Sequence, residues 1–406
     1  MGIFYNNPSR KEICMKKKKL FLMLIISWNL AASYAHPVTP TFFKGLHVPD
    51  AMFGYAFAAM SLGMFLSSPF WGKMTRVISS KSAMAFGGIG YGICQLLFAL
   101  STHSVTILIA RLLAGLSCGA FFVGSLTYIG NLSPKETRGR DLTLNATIQT
   151  VADAIGYFIG GWLGEISVMT SFYVQIVQLI VTGILFYVLL ENDVKEQATA
   201  HEIIKESNPF KAFMSAREFM NKYFVVLFVM TTMVFFGYTC LDQSFNYYLK
   251  DVLHFTSKIN GTYKGLCGLI SLTLNMSVGM ILLKKKKLKK SNIVLLILGS
   301  LVLYSLLMIG NAYLMIGTVL VFYGIYALTV PLEQNMIMAL SNTSNRNIVM
   351  GFYQSTKSLG MIFGASIAGA IYAHMKTGPF VISACAYVTA LICGVIYMKM
   401  KEKKYE

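Results

Sequence analysis

The stretch that decides the fold is YFVVLFVMTTMVFFGYTCLDQSFNYY, residues 223 to 248, a long apolar run interrupted by one carboxylate, Asp242. A helix needs about 20 mainly apolar residues to cross roughly 30 Å of bilayer hydrocarbon, and this run is long enough. Outward from it, twelve such stretches follow one another with short polar breaks between them. They are residues 20–36, 51–71, 83–101, 105–130, 143–164, 169–190, 223–248, 262–283, 291–310, 312–332, 347–373 and 378–398. Because the alternating pattern of a membrane β-barrel is absent, we expect an all-α membrane protein with twelve transmembrane helices.

The composition agrees with this prediction. Of 406 residues, 55% are hydrophobic and only 13% are charged, as is typical of bilayer proteins. The seven cysteines form no C-x-x-C pair, and most lie within predicted spans, where cysteine acts as a small apolar packing residue. The six histidines are not spaced with cysteines or acids as in a zinc site, and no P-loop occurs. We therefore expect no metal, no cofactor and no ATP hydrolysis by this chain.

The distribution of the basic residues behind the net charge of +18 indicates the orientation of the chain in the membrane rather than a nucleic-acid-binding surface. With the N-terminus in the cytoplasm, the inner loops and tails hold 28 of the 35 lysines and arginines, and the outer loops hold four, namely Lys44, Lys250, Lys258 and Lys376. Basic loops stay on the cytoplasmic side, and the run KKKKLKK, residues 284–290, then faces anionic lipid. The sequence predicts a multi-pass protein of a bacterial plasma membrane, with both termini in the cytoplasm and no nucleic-acid partner.

The start of the chain allows two interpretations. MKKKKLFLMLIISWNLAASYA, from Met15, has the charged start and apolar middle of a cleaved signal peptide. Trp28 and Asn29 interrupt its apolar region, however, and its loss would leave eleven spans. We favour retention as the first span, with residues 1–19 as a cytoplasmic tail whose first 14 residues are disordered, and either Met1 or Met15 as the start.

The longest break, residues 191–222, divides the chain into two groups of six spans, 20–190 and 223–398, followed by a cytoplasmic tail, 399–406. A shift of 208 positions places LSPKETRGRDLTLNATIQTVADAIGYFIGG, from Leu132, over LSNTSNRNIVMGFYQSTKSLGMIFGASIAG, from Leu340. Six of the thirty positions are identical, and they fall on corresponding loops and spans. Two repeated halves around a site near mid-membrane are typical of secondary transporters.

Four local patterns then resemble the major facilitator superfamily. The end of span one reads His36-Pro37-Val38-Thr39-Pro40, similar to the P-V-x-P signature of the drug:proton antiporter branch. The loop WGKMTRVISSK resembles the family pattern G-x-x-x-D-R-x-G-R-K, with Gly72 and Lys81 kept, Arg76 at the acid position and Ser79 at the second glycine. The resemblance covers essentially the whole chain and implies a twelve-helix transporter.

The other two patterns lie within spans. Arg111-Leu-Leu-Ala-Gly115 is similar to the family's R-x-x-Q-G, whose arginine is implicated in proton coupling or substrate binding, with Ala114 in place of Gln. Span five contains Gly156-Tyr-Phe-Ile-Gly160-Gly161, which resembles the antiporter pattern G-P-x-x-G-G with tyrosine in place of proline. These glycines are expected to shape helix packing and gating.

The second half resembles another branch, the oligosaccharide:proton symporters that include lactose permease. The similar segments are Asp242-Gln-Ser-Phe245 in span seven and Lys357-Ser-Leu-Gly-Met-Ile-Phe363 in span eleven. In that branch an acid on span seven interacts with a lysine on span eleven. This chain has Thr239 where those permeases carry a second acid, and it lacks their Lys, His and Glu set on span ten.

Charged residues at bilayer depth mark the candidate site, because each costs several kcal/mol unless it faces a wet cavity or a partner. At 1.5 Å per residue, Arg111 and Asp153 differ in depth by about 8 Å, so a pair is feasible, with an unpaired, cavity-facing Asp153 as the alternative. Asp242 and Lys357 differ by about 16 Å, which favours a shared aqueous cavity over a direct pair. Gln149 is the repeat equivalent of Lys357. Asp153 and Asp242 are the candidate proton carriers.

Other function classes fit less well. The G-x-S-x-G pattern at 115–119 lies inside an apolar helix rather than at the strand-to-helix turn of a hydrolase, so it predicts close helix packing and no enzyme. A non-transporting receptor or scaffold would not need buried charges in both halves. We expect a monomeric secondary transporter that moves a small organic solute by alternating access, coupled to protons, by efflux of amphipathic compounds or, alternatively, by sugar symport.

Overall fold

The computed structural model describes residues 8–75, 77–134, 137–193, 208, 210, 214–284, 288–341 and 346–400. Arg76, the first seven residues, most of the predicted central loop, part of the basic run at 284–290 and the tail from 401 onward lie outside the described residues. The description below concerns the described part of the chain.

The fold is built from helices alone in the described ranges. They are α1 Pro8–Ser33, α2 Thr39–Leu46, α3 Met52–Met74, α4 Ser80–Ala99, α5 Ser104–Leu132, α6 Arg138–Ile166, α7 Val168–Leu189, α8 Lys222–Asp251, α9 Ser257–Leu274, α10 Met280–Lys284, α11 Leu288–Leu306, α12 Ala312–Leu340, α13 Arg346–Tyr372 and α14 Gly378–Lys399. A π-helical turn, Asn275–Gly279, joins α9 to α10, and a short 3-10 helix, Ser215–Glu218, precedes α8.

Eleven of the twelve predicted spans each coincide with one of these helices, and the span 262–283 covers α9, the π-helical turn and α10, which confirms the all-helical membrane fold. By length and apolar composition, nine helices in the described part could cross a membrane. One expectation was wrong at the N-terminus: residues 8–14, predicted to be disordered, already belong to α1. The short helix α2, between the first two spans, was not predicted.

The helix boundaries reproduce the predicted repeat. α5 and α12 have the same length of 29 residues, and both of their ends differ by 208 positions. α6 and α13 likewise begin 208 positions apart, at Arg138 and Arg346. The weak identity therefore reflects a repeated arrangement of helices.

Two repeat-related glycines make equivalent helix crossings. A Cβ atom on Gly156 of α6 would lie 2.5 Å from the carbonyl oxygen of Leu30 on α1. A Cβ atom on Gly364 of α13 would lie 2.5 Å from the carbonyl oxygen of Phe236 on α8. Because both distances are below any real Cβ contact, each crossing requires a residue without a side chain. The repeat thus preserves backbone-to-backbone packing.

The chain forms two compact units that differ from the predicted halves in one segment. The first unit contains residues 1–38 and 63–209, and the second contains residues 39–62 and 210–406. Residues 39–62 belong by sequence to the first half, but they pack within the second unit. Gly54 of α3 and Gly369 of α13 meet there so closely that a Cβ atom on either would overlap with the opposite backbone.

Gly160, one turn after Gly156, offers a direct test of this packing in the first unit. A side chain there would overlap with the backbone carbonyl of Tyr34. We expect Gly160→Val to destabilise the protein by about 3 kcal/mol or more, in the upper range for overpacked sites. Thermal unfolding of the purified protein in detergent measures this loss. The control is Gly72→Ala, because no heavy atom lies within 4 Å of a Cβ atom at Gly72; equal stability of the two variants would contradict the prediction.

Candidate functional site

The interior of the second unit contains an ion pair that sequence reasoning missed. Asp242 on α8 is 7% exposed, and its Oδ1 atom contacts the Nζ atom of Lys264 on α9. The hydroxyl of Tyr323 on α12 donates a hydrogen bond to the same oxygen and lies 3.4 Å from Lys264 Nζ. Gln243 Nε2 donates to Asp242 Oδ2 at 2.7 Å. Asp242, the one acid in the stretch 223–248, is therefore paired with Lys264 of α9.

Lys357 lies elsewhere and does not pair with Asp242. Its Nζ atom is 4.7 Å from the ring centre of Phe235 and 5.6 Å from that of Tyr353. Phe235 precedes Asp242 by seven residues on α8, which is about 10 Å along the helix axis. Asp242 and Lys357 therefore lie at different depths in the structure, as the estimate from the sequence indicated.

A second carboxyl, Glu333 on α12, is fully buried, with 0% of its surface exposed. Among the described residues, neither of its oxygens has a hydrogen-bond partner. The hydroxyl of Thr231 on α8, which also has no other hydrogen-bond partner, lies close enough to interact with this carboxyl. Since buried polar groups are nearly always hydrogen-bonded, this carboxyl is an exception that requires an explanation.

Four aromatic rings connect the ion pair to Lys357, and we name them the aromatic row: Tyr323, Tyr238, Tyr326 and Phe235. Tyr238 lies 5.5 Å from Tyr323 and stacks on Tyr326 at 3.7 Å with an interplanar angle of 4°. Tyr326 lies 5.8 Å from Phe235, on whose ring Lys357 rests. The row is a continuous series of ring contacts with charged side chains at each end; Tyr323 and Phe235 are buried, and Tyr238 and Tyr326 are partly exposed.

In the first unit, Arg111 and Asp153 have separate partners. Arg111 on α5 is 6% exposed, donates to Gln95 Oε1 at 3.3 Å, and lies 3.7 Å above the ring of Phe98. Asp153 on α6 accepts a hydrogen bond of 3.0 Å from the hydroxyl of Ser33. The two residues that the depth estimate allowed to pair are therefore not in contact. Gln149 lies one turn before Asp153 and is partly exposed.

The family-motif residues occupy turns and helix contacts. Pro37 is buried in the turn between α1 and α2, and Pro40 is buried in α2. Gly115 lies at the crossing of α3 and α5, where a Cβ atom on Gly63 would be 3.1 Å from its backbone. Gly161 is buried in α6 beside Gly160. These positions serve helix packing.

The loop after α3 departs from the family pattern and has a different acid. Lys81 Nζ donates to the carbonyl oxygens of Tyr187 and Leu190 at 3.2 and 3.1 Å, at the end of α7. Asp193 accepts from the backbone N–H of Ser80 at 2.7 Å, at the start of α4. A carboxylate is favoured at a helix N-terminus. Asp193 thus provides a negative charge at this loop, where position 76 is an arginine.

A closed charge cluster lies in the second unit, at the end predicted to face outside; its members are Lys44, Asp50, Asp251 and Lys376. Each lysine contacts both aspartates, with Lys44 2.8 Å from Asp50 and Lys376 2.9 Å from Asp251. Tyrosine hydroxyls donate to Asp50 and to Asp251 at 2.9 Å each. The cluster joins residues 39–62 to the ends of α8 and α13. Sequence reasoning had marked its lysines only as loop charges.

The cluster predicts a defined pH dependence of stability. Burial raises the pKa of Asp50, but the ammonium groups of Lys376 and Lys44 and the Tyr247 hydroxyl outweigh burial and lower the pKa to about 2. A carboxyl with a lowered pKa stabilises the folded state fully above its ordinary pKa of about 4, and this contribution is lost as the pH falls toward 2. Asp50 therefore remains ionised at physiological pH.

We expect Asp50→Asn to lower the free energy of unfolding by roughly 1 kcal/mol or less, because both lysines are more than one third exposed and water screens the pairs. The difference from the unmodified protein should be constant from about pH 5 to pH 8 and shrink only below about pH 4. Thermal unfolding in detergent across this pH range measures it. A difference that disappears between about pH 5 and pH 7 would contradict the assignment.

Comparisons with known proteins agree with this architecture. Residues 20–333 match the sequence model of the Major Facilitator Superfamily. The chain is 21% identical to Multidrug resistance protein 2 of Bacillus subtilis (strain 168) over 400 residues, covering 97% of this chain and 98% of that protein. It is 23% identical to the quinolone resistance protein NorA of Staphylococcus aureus over 376 residues, covering 90% and 94%. The crystal structure of the nucleoside transporter NupG superposes with a TM-score of 0.75 at 13% identity, covering 95% and 99%.

Proposed function

The chain belongs to the major facilitator superfamily and is a membrane transporter, and from this premise we propose that it exports amphipathic aromatic compounds in exchange for protons. Glu333, a fully buried carboxyl on α12, the helix that also carries Tyr323 and Tyr326 of the aromatic row, is the observation that carries the proposal. The arguments for the proton, the solute and the direction are independent of one another.

The proton is assigned to Glu333. An ionised carboxylate buried without a cation or a hydrogen bond is costly in a membrane protein. Glu333 therefore needs a proton in this conformation, and a conformation that exposes it to water releases that proton. Asp242 is a poorer carrier, because Lys264 already neutralises it and Tyr323 holds it by a hydrogen bond. We assign Asp242 and Lys264 to the structural support of the site.

The solute is assigned from the aromatic row. Tyr238 and Tyr326 stack on each other and are partly exposed, so a ligand can contact the exposed part of this aromatic pair. Ligand sites are mostly apolar and aromatic, with a few polar groups that fix orientation. A flat, amphipathic molecule complements such a surface, whereas a sugar needs a dense set of hydrogen-bonding groups. The sugar-symport alternative relied on Asp242 together with Lys357, which the structure keeps apart.

The direction is assigned from relatives that match over nearly their whole length. Multidrug resistance protein 2 and NorA are both named for resistance to drugs. The corresponding activity is export from the cell, driven by protons that enter down their gradient. We place the protein in a bacterial plasma membrane, with both termini in the cytoplasm, on the basis of its basic loops.

Everted membrane vesicles test the proposal. Vesicles that contain the protein should accumulate a fluorescent amphipathic compound when acidified inside, and addition of the compound should make the interior less acidic as protons leave. Vesicles without the protein should show neither effect. Uptake that leaves the internal pH unchanged, or that carries protons in the same direction as the solute, would refute proton exchange.

A further inference from the structure

Arg111 of α5 is a buried cation that no acid in the described part of the chain neutralises. Its side chain is 6% exposed, and none of the ion pairs among the described residues includes it. Its hydrogen-bonding neighbours, the amide of Gln95 and the hydroxyl of Tyr91, are both neutral. The ring of Phe98 lies 3.7 Å from the guanidinium carbon. A cation–π contact of this kind offsets only part of the cost of a charge at bilayer depth.

Arginine cannot avoid this cost by losing its charge. A buried carboxyl such as Glu333 becomes neutral when it takes up one proton, whereas a guanidinium remains protonated in proteins. An isolated ion in apolar surroundings is among the most costly groups to bury. Arg111 therefore requires a negatively charged partner from outside the described part of the chain.

Gln95 of α4 lacks a partner at the same place. Its side chain is 1% exposed, and its Oε1 atom accepts from Arg111 Nη1 at 3.3 Å. Its Nε2 atom has no hydrogen-bond partner among the described residues. The two side chains thus bring together more N–H donors than acceptors. A water molecule would accept from Gln95 but leave the charge of Arg111 in place, whereas an anion would satisfy both residues.

Close packing holds α4 and α5 together around these two side chains. A Cβ atom on Gly87 of α4 would lie 2.7 Å from the backbone nitrogen of Phe121 on α5, and one on Gly90 would lie 2.7 Å from the Oγ atom of Ser117. Arg111 stands seven residues after Ser104, where α5 begins, which is about 10 Å along the helix from its predicted outer end. The donors are therefore held in an enclosed position near that end.

We propose that Arg111 and Gln95 bind a small inorganic anion of the size of chloride between α4 and α5. The enclosure of both side chains favours a monatomic ion over the carboxylate of an organic solute. The bound anion neutralises the guanidinium, accepts from Gln95 Nε2 and stabilises the first unit. The site lies apart from the aromatic row of the second unit, so the inference does not depend on the proposed function.

Thermal unfolding of the full-length protein in detergent tests the site, with chloride replaced stepwise by gluconate at constant ionic strength. The unfolding temperature of the unmodified protein should rise saturably with chloride, by several degrees, as expected for a ligand that binds only the folded state. Gln95→Glu supplies a carboxylate to Arg111, so it should be insensitive to chloride and as stable in gluconate as the unmodified protein is in chloride. Arg111→Gln should also lose the response, whereas the control Lys357→Gln, in the second unit, should keep it.

Crystals of the unmodified protein grown with bromide in place of chloride locate the ion directly. Anomalous scattering should show one bromide within hydrogen-bond distance of Arg111 and Gln95, and this measurement decides the matter if a variant fails to fold. Three results would overturn the proposal: no saturable effect of chloride on the unmodified protein, the same effect in Gln95→Glu and Arg111→Gln, or bromide bound only elsewhere. None of these measurements involves transport, so their failure would leave proton-coupled export standing.

Discussion

Replacement of Glu333 by glutamine is expected to abolish proton-driven accumulation of substrate while leaving exchange of one substrate molecule for another intact. The amide has the shape of the protonated carboxyl but releases no proton, so the variant remains in the form that the buried site accepts. An imposed gradient of about two pH units supports about a hundredfold accumulation if one proton is exchanged per electroneutral cycle. In everted vesicles we expect this ratio to fall to about one in Glu333→Gln.

Two comparisons make this prediction specific. Glu333→Asp keeps a titratable group and should keep part of the accumulation, whereas Asp153→Asn alters the half-buried carboxyl of the first unit, whose Ser33 hydrogen bond already partners it. Exchange of labelled for unlabelled substrate, measured without a pH gradient, shows that each variant is folded and binds. Accumulation by Glu333→Gln in response to the gradient would remove Glu333 from the coupling mechanism.

The helices could be predicted from the sequence because a long apolar run has one stable form in lipid, and twelve such runs are visible. The ends of the helices were less certain, and for this reason the sequence analysis did not identify Glu333 as a buried residue. The predicted span stopped at residue 332, just after Pro331, which usually ends a helix. In the structure α12 continues through Pro331 to Leu340, so Glu333 lies within the helix. A proline is tolerated inside a membrane helix because neighbouring helices and local adjustments satisfy the backbone groups that it leaves without a hydrogen bond.

Lys264 was missed for a similar reason. It stands only two residues inside the predicted span 262–283, where a lysine can extend to the membrane surface. Helix α9 begins at Ser257, however, which places Lys264 about two turns inside it and beside Asp242. The signal was present, since Lys264 is a charged residue within a predicted span, and a search for all such residues would have found it.

Partners could not be predicted, because depth along the membrane does not determine which helix faces meet. The depth estimate correctly disfavoured a direct contact between Asp242 and Lys357, yet it allowed a pair of Arg111 with Asp153 that does not form. Both cases needed the rotation of each helix about its axis, which packing sets. Glycines at crossings, such as Gly156, are the sequence feature that carries part of this information.

The pairing of Asp242 with Lys264 predicts the second large effect, on stability. Lys264→Met leaves a buried carboxylate without its cation, and Asp242→Asn leaves a buried ammonium without its anion. Each single variant should lose about 3–5 kcal/mol, the usual cost of breaking a buried pair by removing one partner. The double variant removes both charges and should recover most of that loss, since a neutral pair of similar volume is often tolerated.

Thermal unfolding of the four proteins in detergent completes the double-mutant cycle, with Lys357→Met as the matched control. Lys357 is a partly buried lysine on α13 that contacts no carboxylate among the described residues, so its loss should cost much less than the loss of Lys264. If Lys264→Met is as stable as Lys357→Met, or if the single effects of the cycle simply add, then Asp242 and Lys264 are not a structural pair. Asp242 would then return as a candidate proton carrier beside Glu333.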